Sequence, residues 1–386
     1  MPVDAFVTLS RATAASLECW AVTAPGVERL AAAELERLGI APGATEVGGV
    51  AFAASMAQLR QANLWLRTAS RVVVRLASFH ASTFHELERR ARRVPWAEWL
   101  APGTAAEFSV TSHKSKLYHQ RAIAERLAGA AGGGAPPGDG VPVQLFLVRL
   151  VHDEVTLSID SSGALLHQRG YRLEGGKAPL RETLAAALLL ASGWDGTTPL
   201  VDPFCGSGTI PIEAALLARR IPPGLHRAFA FERWPGHDAA AWEVEREAAR
   251  AAIRACAEVP IVGRDRDAGA VAAARANAAR AGVEDDVDLA QASVSALAPP
   301  AGPGHVVTNP PYGVRIGDAA RLRDLYARLG QVLRARCAGW TLTLLGTDRR
   351  LTGALGIPLT SRLLTSNGGV RVQLLSGRVG AAKASA

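Results

Sequence analysis

The sequence predicts an α/β protein: an open, mainly parallel sheet in the C-terminal half, preceded by a smaller α+β region. Three observations carry this. A short apolar strand, Leu200-Val201, runs into Asp202, a Pro-Phe-Cys turn, Gly206-Ser207-Gly208 and a helical pattern from Thr209 to Arg219, which reads as strand, glycine loop and helix. Short apolar runs at Ile261-Val262, Val287–Ala290, His305–Val307 and Trp340–Leu345 then alternate with helical stretches, the rhythm of βαβ units. Two last strand-like runs, Ser361–Leu364 and Val370–Leu375, flank Asn367-Gly368, so the sheet is expected to gain a terminal antiparallel hairpin.

Composition bounds the rest. At 386 residues the chain is long enough for two or three domains, and 48% hydrophobic against 20% charged residues excludes wholesale disorder. No apolar run reaches the roughly 18 residues of a membrane span, and no basic-then-apolar signal pattern opens the chain. A cytoplasmic protein with no membrane partner is expected. Cys19, Cys205, Cys256 and Cys337 are scattered without a C-x-x-C spacing, which supports neither a disulfide framework nor a metal site. The net charge of +8 is carried almost wholly by Arg, since the only lysines are Lys114, Lys116, Lys177 and Lys383. Between Arg60 and Arg126 twelve Arg or Lys face five Glu; such asymmetry suggests a polyanion partner, with a merely solvated basic face as the alternative.

In chain order, Ala5–Leu9 alternates weakly as a strand, and Ala21–Gly26 leads into a helix from about Val27 to Leu38, closed by Gly39. Val50–Phe52 is a short extended segment before a helix at Ser55–Arg67, and Arg71–Leu76 reads as a strand. A helix at Thr83–Arg93, the Trp96–Leu100 segment and a strand at Ala106–Thr111 precede Ser112–His119. There Lys114 and Lys116 fall near a helix start beside Tyr118 and His119; cations neutralise phosphates, and a helix N-terminus adds N–H donors. Arg121 and Arg126 continue the basic pattern along a helix to Leu127, while His113 and His119 also read as ordinary surface histidines. Gly129–Gly140 is a flexible loop, followed by strands Val143–Leu150 and Glu154–Ile159 joined by His152-Asp153.

Leu165–Arg172 and Ala178–Thr183 then lead into an apolar helix, Leu184–Leu190, able to cover a sheet face. Arg169 and Arg172 suit either the phosphates of a polyanion or a bridge between domains. Past the glycine-loop helix, Ile221-Pro222-Pro223-Gly224 breaks the chain, and Phe229–Glu258 is an extra, mostly helical segment. The strand Ile261-Val262 ends in Gly263-Arg264-Asp265-Arg266-Asp267 ahead of a helix at Ala268–Ala281, and a later helix spans Arg321–Arg334.

The chemistry concentrates at strand ends. Gly206 and Gly208 let the backbone approach a ligand, but the dinucleotide G-x-G-x-x-G and the phosphate-loop Lys are both missing. Asp202 ends the first strand at the edge where open sheets bind ligands, or serves as a structural turn carboxylate. Asp265 ends the second strand and can accept from both hydroxyls of a ribose; Asp267 is the less favoured choice. In Asn309-Pro310-Pro311-Tyr312-Gly313 the Asn carboxamide oxygen and the Pro310 carbonyl can accept from an exocyclic amine, and Tyr312 offers a flat face to a base. Those residues do not distinguish adenine-N6, cytosine-N4, glutamine or guanine-N2.

The glycine loop and the Asn-Pro-Pro-Tyr-Gly run together resemble the class I S-adenosylmethionine-dependent methyltransferases of amino groups. Over nearly its whole length the chain is similar to the THUMP-containing guanine-N2 RNA methyltransferases of the large-subunit ribosomal RNA type, which have a transfer RNA branch. The resemblance implies a class I (Rossmann-like) methyltransferase sheet with an N-terminal α+β ferredoxin-like/THUMP region: a ferredoxin-like segment over 1–70, a THUMP RNA-binding domain over 71–160, a linker over 161–180 and the methyltransferase domain over 181–380. It implies transfer from S-adenosylmethionine, leaving S-adenosylhomocysteine, to the N2 amine of a guanine without a metal. The expected partner is RNA, 23S ribosomal RNA first and a transfer RNA acceptor stem second. A DNA or protein amino-group methyltransferase and a noncatalytic RNA-binding protein remain open, and a monomer is favoured. The implied cofactor residues are Thr183, Asp202, Phe204, Cys205, Gly206, Ser207, Gly208, Asp265, Arg266, Ser293 and Asn309; the catalytic ones are Asn309, Pro310 and Tyr312; the RNA contacts are Lys114, Lys116, Arg121, Arg169 and Arg172. Ser293 stands where the family usually has an Asp on the adenine amine, which implies a weaker bond to the adenine edge. In the family the 220–259 insertion lies beside the catalytic domain.

Overall fold

The computed structural model describes residues 7–8, 16–132, 140–173, 180–312 and 319–381. Most of the strand expected at Ala5–Leu9, the middle of the Gly129–Gly140 loop, Ala178-Pro179 and Gly313 lie outside the described residues. The chain divides into two compact units, one of Met1–Thr23, Ala32–Leu166 and Arg227–Glu245, the other of Ala24–Ala31, His167–His226 and Arg246–Ala386.

In the first unit, β1 (Val7–Thr8), β2 (Leu17–Thr23), β3 (Pro42–Glu46), β4 (Gly49–Ala54), β5 (Ala69–His80), β6 (Ala105–His113), β7 (Val143–Val151) and β8 (Glu154–Asp160) form one sheet. Their order is β3-β4-β2-β5-β8-β7-β6, with β1 on β5. Among the described residues only β6 and β7 pair in parallel in this sheet, Ala105 opposite Val143. The expected helix follows as α1 (Glu28–Arg37), but β2 ahead of it is a strand that the sequence reading did not assign: Leu17, Cys19 and Ala21 alternate inward along a strand paired on both edges. Helices α1 (Glu28–Arg37, from Ala32 on), α2 (Met56–Trp65), α3 (Phe84–Ala91) and α4 (Gln120–Ala130) accompany it. Ser55 with Gln58 and Thr83 with Glu86 form capping boxes that start α2 and α3, each satisfying otherwise orphaned backbone donors.

Residues Arg227–Glu245 belong to this unit through polar anchors. Arg227 donates to the carbonyls of Ser162, Ala164 and Leu165, and Trp234 Nε1 donates to Gln144 Oε1 at 2.9 Å. Arg60 Nε donates to Glu245 Oε2 at 2.8 Å, and Arg71 pairs with Asp160. Arg60 and Arg71 are therefore engaged inside the unit, and the basic excess counted along Arg60–Arg126 overstates the free cationic surface.

The second unit holds β9 (Leu200–Asp202), β10 (Ile261–Asp265), β11 (Val287–Gln291), β12 (His305–Thr308), β13 (Thr341–Gly346), β14 (Thr360–Asn367) and β15 (Val370–Arg378). The order is β11-β10-β9-β12-β13-β15-β14. The first five are parallel, and β15 pairs antiparallel with both β13 and β14. Strand order reverses between β9 and β12, the switch point at which such sheets bind ligands. The β14–β15 turn is Gly368-Gly369, with φ +57° and +82°; Asn367 is the last residue of β14 and not the expected turn residue.

Helices α5 (Glu182–Ser192), α6 (Thr209–Ala218), α7 (Ala239–Ala251, from Arg246 on in this unit), α8 (Ala268–Arg280), α9 (Ala319–Arg336) and α10 (Arg349–Ala354) complete it. Leu184 and Leu188 of α5 and Ile210 and Ile212 of α6 bury with Leu200, Ile261 and Leu289 in one core. Leu329 and Leu333 of α9 bury with Val201, Val306 and Leu342 in another. Each such side chain contributes about 1.5–3 kcal/mol on burial, so the sheet that presents the strand ends is held from both faces. Among the described residues no helix is long and apolar enough to cross a membrane, and no group of three or more His, Cys, Asp or Glu is placed to hold a metal.

Candidate active site

β9 and β12 lie side by side, Leu200 opposite His305 and Val201 opposite Val306. Asp202 at the end of β9 is buried, and its Oδ1 accepts from Thr308 Oγ1 at 2.6 Å and from the Phe204 amide at 3.1 Å. Burial pushes this carboxyl up to about 7; the two donors oppose the shift and Asp265 adds to it. One carboxylate thus ties together the ends of the two switch-point strands.

The glycine loop hangs from the neighbouring strand. The Cys205 amide donates to Arg264 O at 2.9 Å, the Gly206 amide to Asp265 Oδ2 at 3.0 Å, and Asn277 Nδ2 of α8 to Ser207 O at 3.0 Å. Gly208 has φ +86°, and a Cβ there would come within 3.0 Å of the Ala274 methyl, whereas a Cβ on Gly206 would meet open space. Gly208 therefore serves close packing of α6 on α8, whereas Gly206 borders open space. Burial and the nearby Asp202 and Asp265 raise the Cys205 thiol pKa, so it stays protonated and is unsuited to nucleophilic work.

Asp265 is half-buried, with Oδ1 accepting from the Asp267 amide at 3.0 Å. Each of its oxygens therefore takes one backbone N–H and keeps acceptor capacity for a hydroxyl. Asp267 is committed elsewhere, accepting from the Gly269 and Ala270 amides as the N-cap of α8. Arg266 is exposed, with its carbonyl accepting from Gln291 Nε2. Ser293 is exposed beyond β11, ahead of a short turn that it does not cap with its side chain. Phe204 and Ser207 are half-buried in the loop, and half-buried Thr183 lies in the first turn of α5.

Asn309 follows β12 directly. Its Oδ1 is buried and accepts no hydrogen bond from the described residues. Pro310 is buried, Tyr326 Oη donates to Pro311 O at 3.4 Å, and Asn367 Nδ2 donates to Tyr312 Oη at 2.6 Å. Asn367 and Tyr326 support the motif and were missed by sequence reasoning: an Asn before Gly-Gly reads as turn chemistry, and a Tyr in a helix reads as core.

The arginines of the linker need correction. Arg169 is 3% exposed and pairs with Glu213, whose carboxylate also accepts from Tyr171 Oη at 3.0 Å. Arg172 pairs with Glu182 at 3.2 Å and donates to Leu180 O at 2.7 Å. Neither guanidinium is available to a phosphate, because leaving a buried carboxylate unpaired costs more than a surface contact returns. The other Glu182 oxygen is buried without a partner among the described residues, and burial raises this carboxyl to about 7. Lys114 and Lys116 are exposed, but on the loop before α4, which begins only at Gln120, so they are not in a first helical turn. Arg121 is exposed on α4 and paired with Glu125 at 3.0 Å.

A family model described as "RMKL-like, methyltransferase domain" matches residues 169–369, and one described as "RlmL ferredoxin-like domain" matches residues 18–73. The protein slr0064 of Synechocystis sp., which carries the name of an RNA methyltransferase, is 34% identical over 365 residues, covering 92% of this chain and 95% of its own. The ribosomal RNA large subunit methyltransferase K/L of Chromohalobacter salexigens is 40% identical over 91% of this chain and 50% of its own, and that of Shewanella amazonensis 37% over 90% and 51%. The chain thus spans about half the length of these K/L relatives. Among solved structures, SMU.472 in complex with SAH superposes with a TM-score of 0.87 at 31% identity, covering 96% of this chain and 99% of that one. A protein from Listeria monocytogenes, described as a predicted N6-adenine-specific DNA methylase, gives 0.83 at 34% identity over 93% and 96%.

Proposed function

The chain belongs to the RMKL-like methyltransferase family, and from that premise we propose that it methylates the exocyclic N2 amine of a guanine in large-subunit (23S) ribosomal RNA, using S-adenosylmethionine. The names of the K/L relatives and the SAH held by SMU.472 support the substrate and the cofactor. Residues 71–160 take the part of a THUMP RNA-binding domain in this reading, with Lys114, Lys116 and Arg121 toward RNA in the cytoplasm.

When bound, S-adenosylmethionine supplies an electrophilic methyl group. The residues present fit it: Gly206 leaves room against the backbone, the α6 N-terminus offers amides, and Asp265 keeps acceptor capacity for the ribose. The observation that carries the reading is the Asn309 carboxamide oxygen, buried and without a partner among the described residues, one residue beyond the Thr308 bond to Asp202. Such an orphan costs about 1–3 kcal/mol unless a ligand supplies the donor. An amine held by Asn309 Oδ1 and the Pro310 carbonyl has both hydrogens occupied and its lone pair turned out of the plane, toward a methyl donor. Tyr312, fixed through its hydroxyl by Asn367, stacks on the base. No strong base is needed, because the amine loses its proton once transfer is under way.

The test is transfer of labelled methyl to unmodified large-subunit ribosomal RNA, transfer RNA and DNA, followed by nucleoside analysis. N2-methylguanosine in the ribosomal fraction is expected. The same nucleoside in transfer RNA alone moves the substrate to the acceptor stem, and label on adenine N6, the chemistry named for the Listeria protein, overturns the assignment.

A further inference from the structure

The loop between β6 and α4 carries an aromatic side chain that the fold leaves uncovered. Tyr118 is 66% exposed, and its ring centroid lies 4.2 Å from that of His119, with the planes 39° apart. An exposed ring of this size forgoes burial worth about 1.5–3 kcal/mol. Around it the loop is held firmly. Ser112 Oγ donates to Leu117 O at 2.6 Å, and buried Leu117 anchors the loop from beneath. The Lys116 amide donates to Asp153 Oδ1 at 2.6 Å, and the Asp153 amide to Ser115 Oγ at 2.9 Å. Among the described residues, only four other than Gly have left-handed backbones: Lys114, His152, Asp153 and Arg220. Three of these therefore lie in this loop and the turn that clamps it. The two-residue turn of the β7–β8 hairpin accounts for His152 and Asp153. Lys114 has no such turn to serve, and a strained residue of this kind costs about 1–3 kcal/mol, persisting where the surrounding structure enforces it. Lys114 and Lys116 are both exposed, and neither ammonium pairs with a carboxylate among the described residues; Glu125 and Glu88 are taken by Arg121 and Arg126.

We propose that Tyr118 and His119, flanked by Lys114 and Lys116, form a preorganised stacking platform for one unpaired nucleotide of the RNA substrate. The inference deepens the RNA-methyltransferase reading and rests on it. An aromatic face stacks on a base only where that base is free of its own helix, and the grooves of paired RNA offer mainly phosphates and 2′-hydroxyls. The two ammonium groups suit the phosphates on either side of a splayed base. Because the loop is already ordered, little conformational entropy is lost when RNA docks.

Binding of the full-length protein is measured to a single-stranded RNA carrying 2-aminopurine and to the same strand in a duplex. Tyr118→Ala should weaken single-strand binding about five- to a hundredfold, the range for removing one base–aromatic stack, and Tyr118→Leu should fall with it. Tyr118→Phe should stay within about twofold, since stacking needs the ring and not the hydroxyl. Duplex binding should not change, and the salt slope should drop only in the Lys114→Ala/Lys116→Ala protein. Unchanged single-strand binding by Tyr118→Ala, or equal losses on single strand and duplex, overturns the platform alone. Wild-type protein that binds neither RNA overturns the RNA reading and the platform with it.

Discussion

In the proposed reaction Asp265 and Asn309 divide the work at the strand ends, the first assigned to the cofactor sugar and the second to the amine. Asp265 also receives the Gly206 amide, so removing its carboxylate loosens the loop as well as the hold on the ribose. Asp265→Ala should weaken S-adenosylmethionine binding by about 1.5–3 kcal/mol in calorimetry, the scale of removing a charged hydrogen-bond partner; unchanged affinity would remove Asp265 from the site. Asn367 acts through Tyr312, and the pair can be separated by a double-mutant cycle. Asn367→Ala should raise KM for RNA and leave cofactor affinity unchanged, and it should have no further effect in a Tyr312→Phe background, where no phenol oxygen is left to hold. Additive losses would mean that Asn367 acts by another route. The strand-end positions of Asp202, Asp265 and Asn309 were legible because short apolar runs ending in fixed local motifs announce them. Arg169 was not, since its burial depends on Glu213, 44 residues away, and Asn367 was not, since its partner lies 55 residues back.

At the scale of elements, the glycine loop is where local backbone and tertiary packing coincide. Gly208 combines φ +86° with the 3.0 Å approach of Ala274. Gly208→Ala should therefore lower the urea midpoint, corresponding to an unfolding free energy smaller by about 1–2 kcal/mol for the left-handed backbone alone, and should weaken cofactor binding. A midpoint equal to wild type would show that the loop adapts freely. The parallel core was legible for the converse reason: α5, α6 and the central strands are apolar runs that can only be buried. β2 was not, because its apolar residues Leu17, Cys19, Trp20, Ala21 and Val22 fall on both faces without clean alternation, and the strand is defined by its partners β4 and β5. β5 extends to His80, well past the expected Leu76, because β8 supplies a ladder from Val73 to His80 that no local pattern reveals.

Across the whole molecule, buried carboxylates and exposed cations set the response to pH and salt. Burial raises Asp160 to about 6 in the first unit, and Asp202 and Glu182 to about 7 in the second. Their folded-state values lie above the unfolded ones, so the folded chain holds protons that the unfolded chain releases; the stability they contribute is full below the ordinary carboxylate range and is lost as pH rises through about 6 to 7. Urea midpoints should accordingly be higher near pH 5.5 than near pH 8, roughly either side of that window, and midpoints that climb with pH would contradict the burial argument. On the salt side, replacing Lys114, Lys116 and Arg121 together by Ala should lower the slope of log RNA affinity against log salt by up to about one unit for each phosphate no longer neutralised, with cofactor binding unaffected. The most direct measurement is single-turnover methyl transfer by wild type and Asn309→Ala to unmodified large-subunit ribosomal RNA, with the product nucleoside identified by mass spectrometry. The expected result is N2-methylguanosine from wild type and a rate lower by about 100-fold or more from the variant, since misplacement by about 1 Å costs that much, with S-adenosylmethionine affinity nearly unchanged. Full activity in Asn309→Ala, or a methyl group on any atom other than guanine N2, would contradict it.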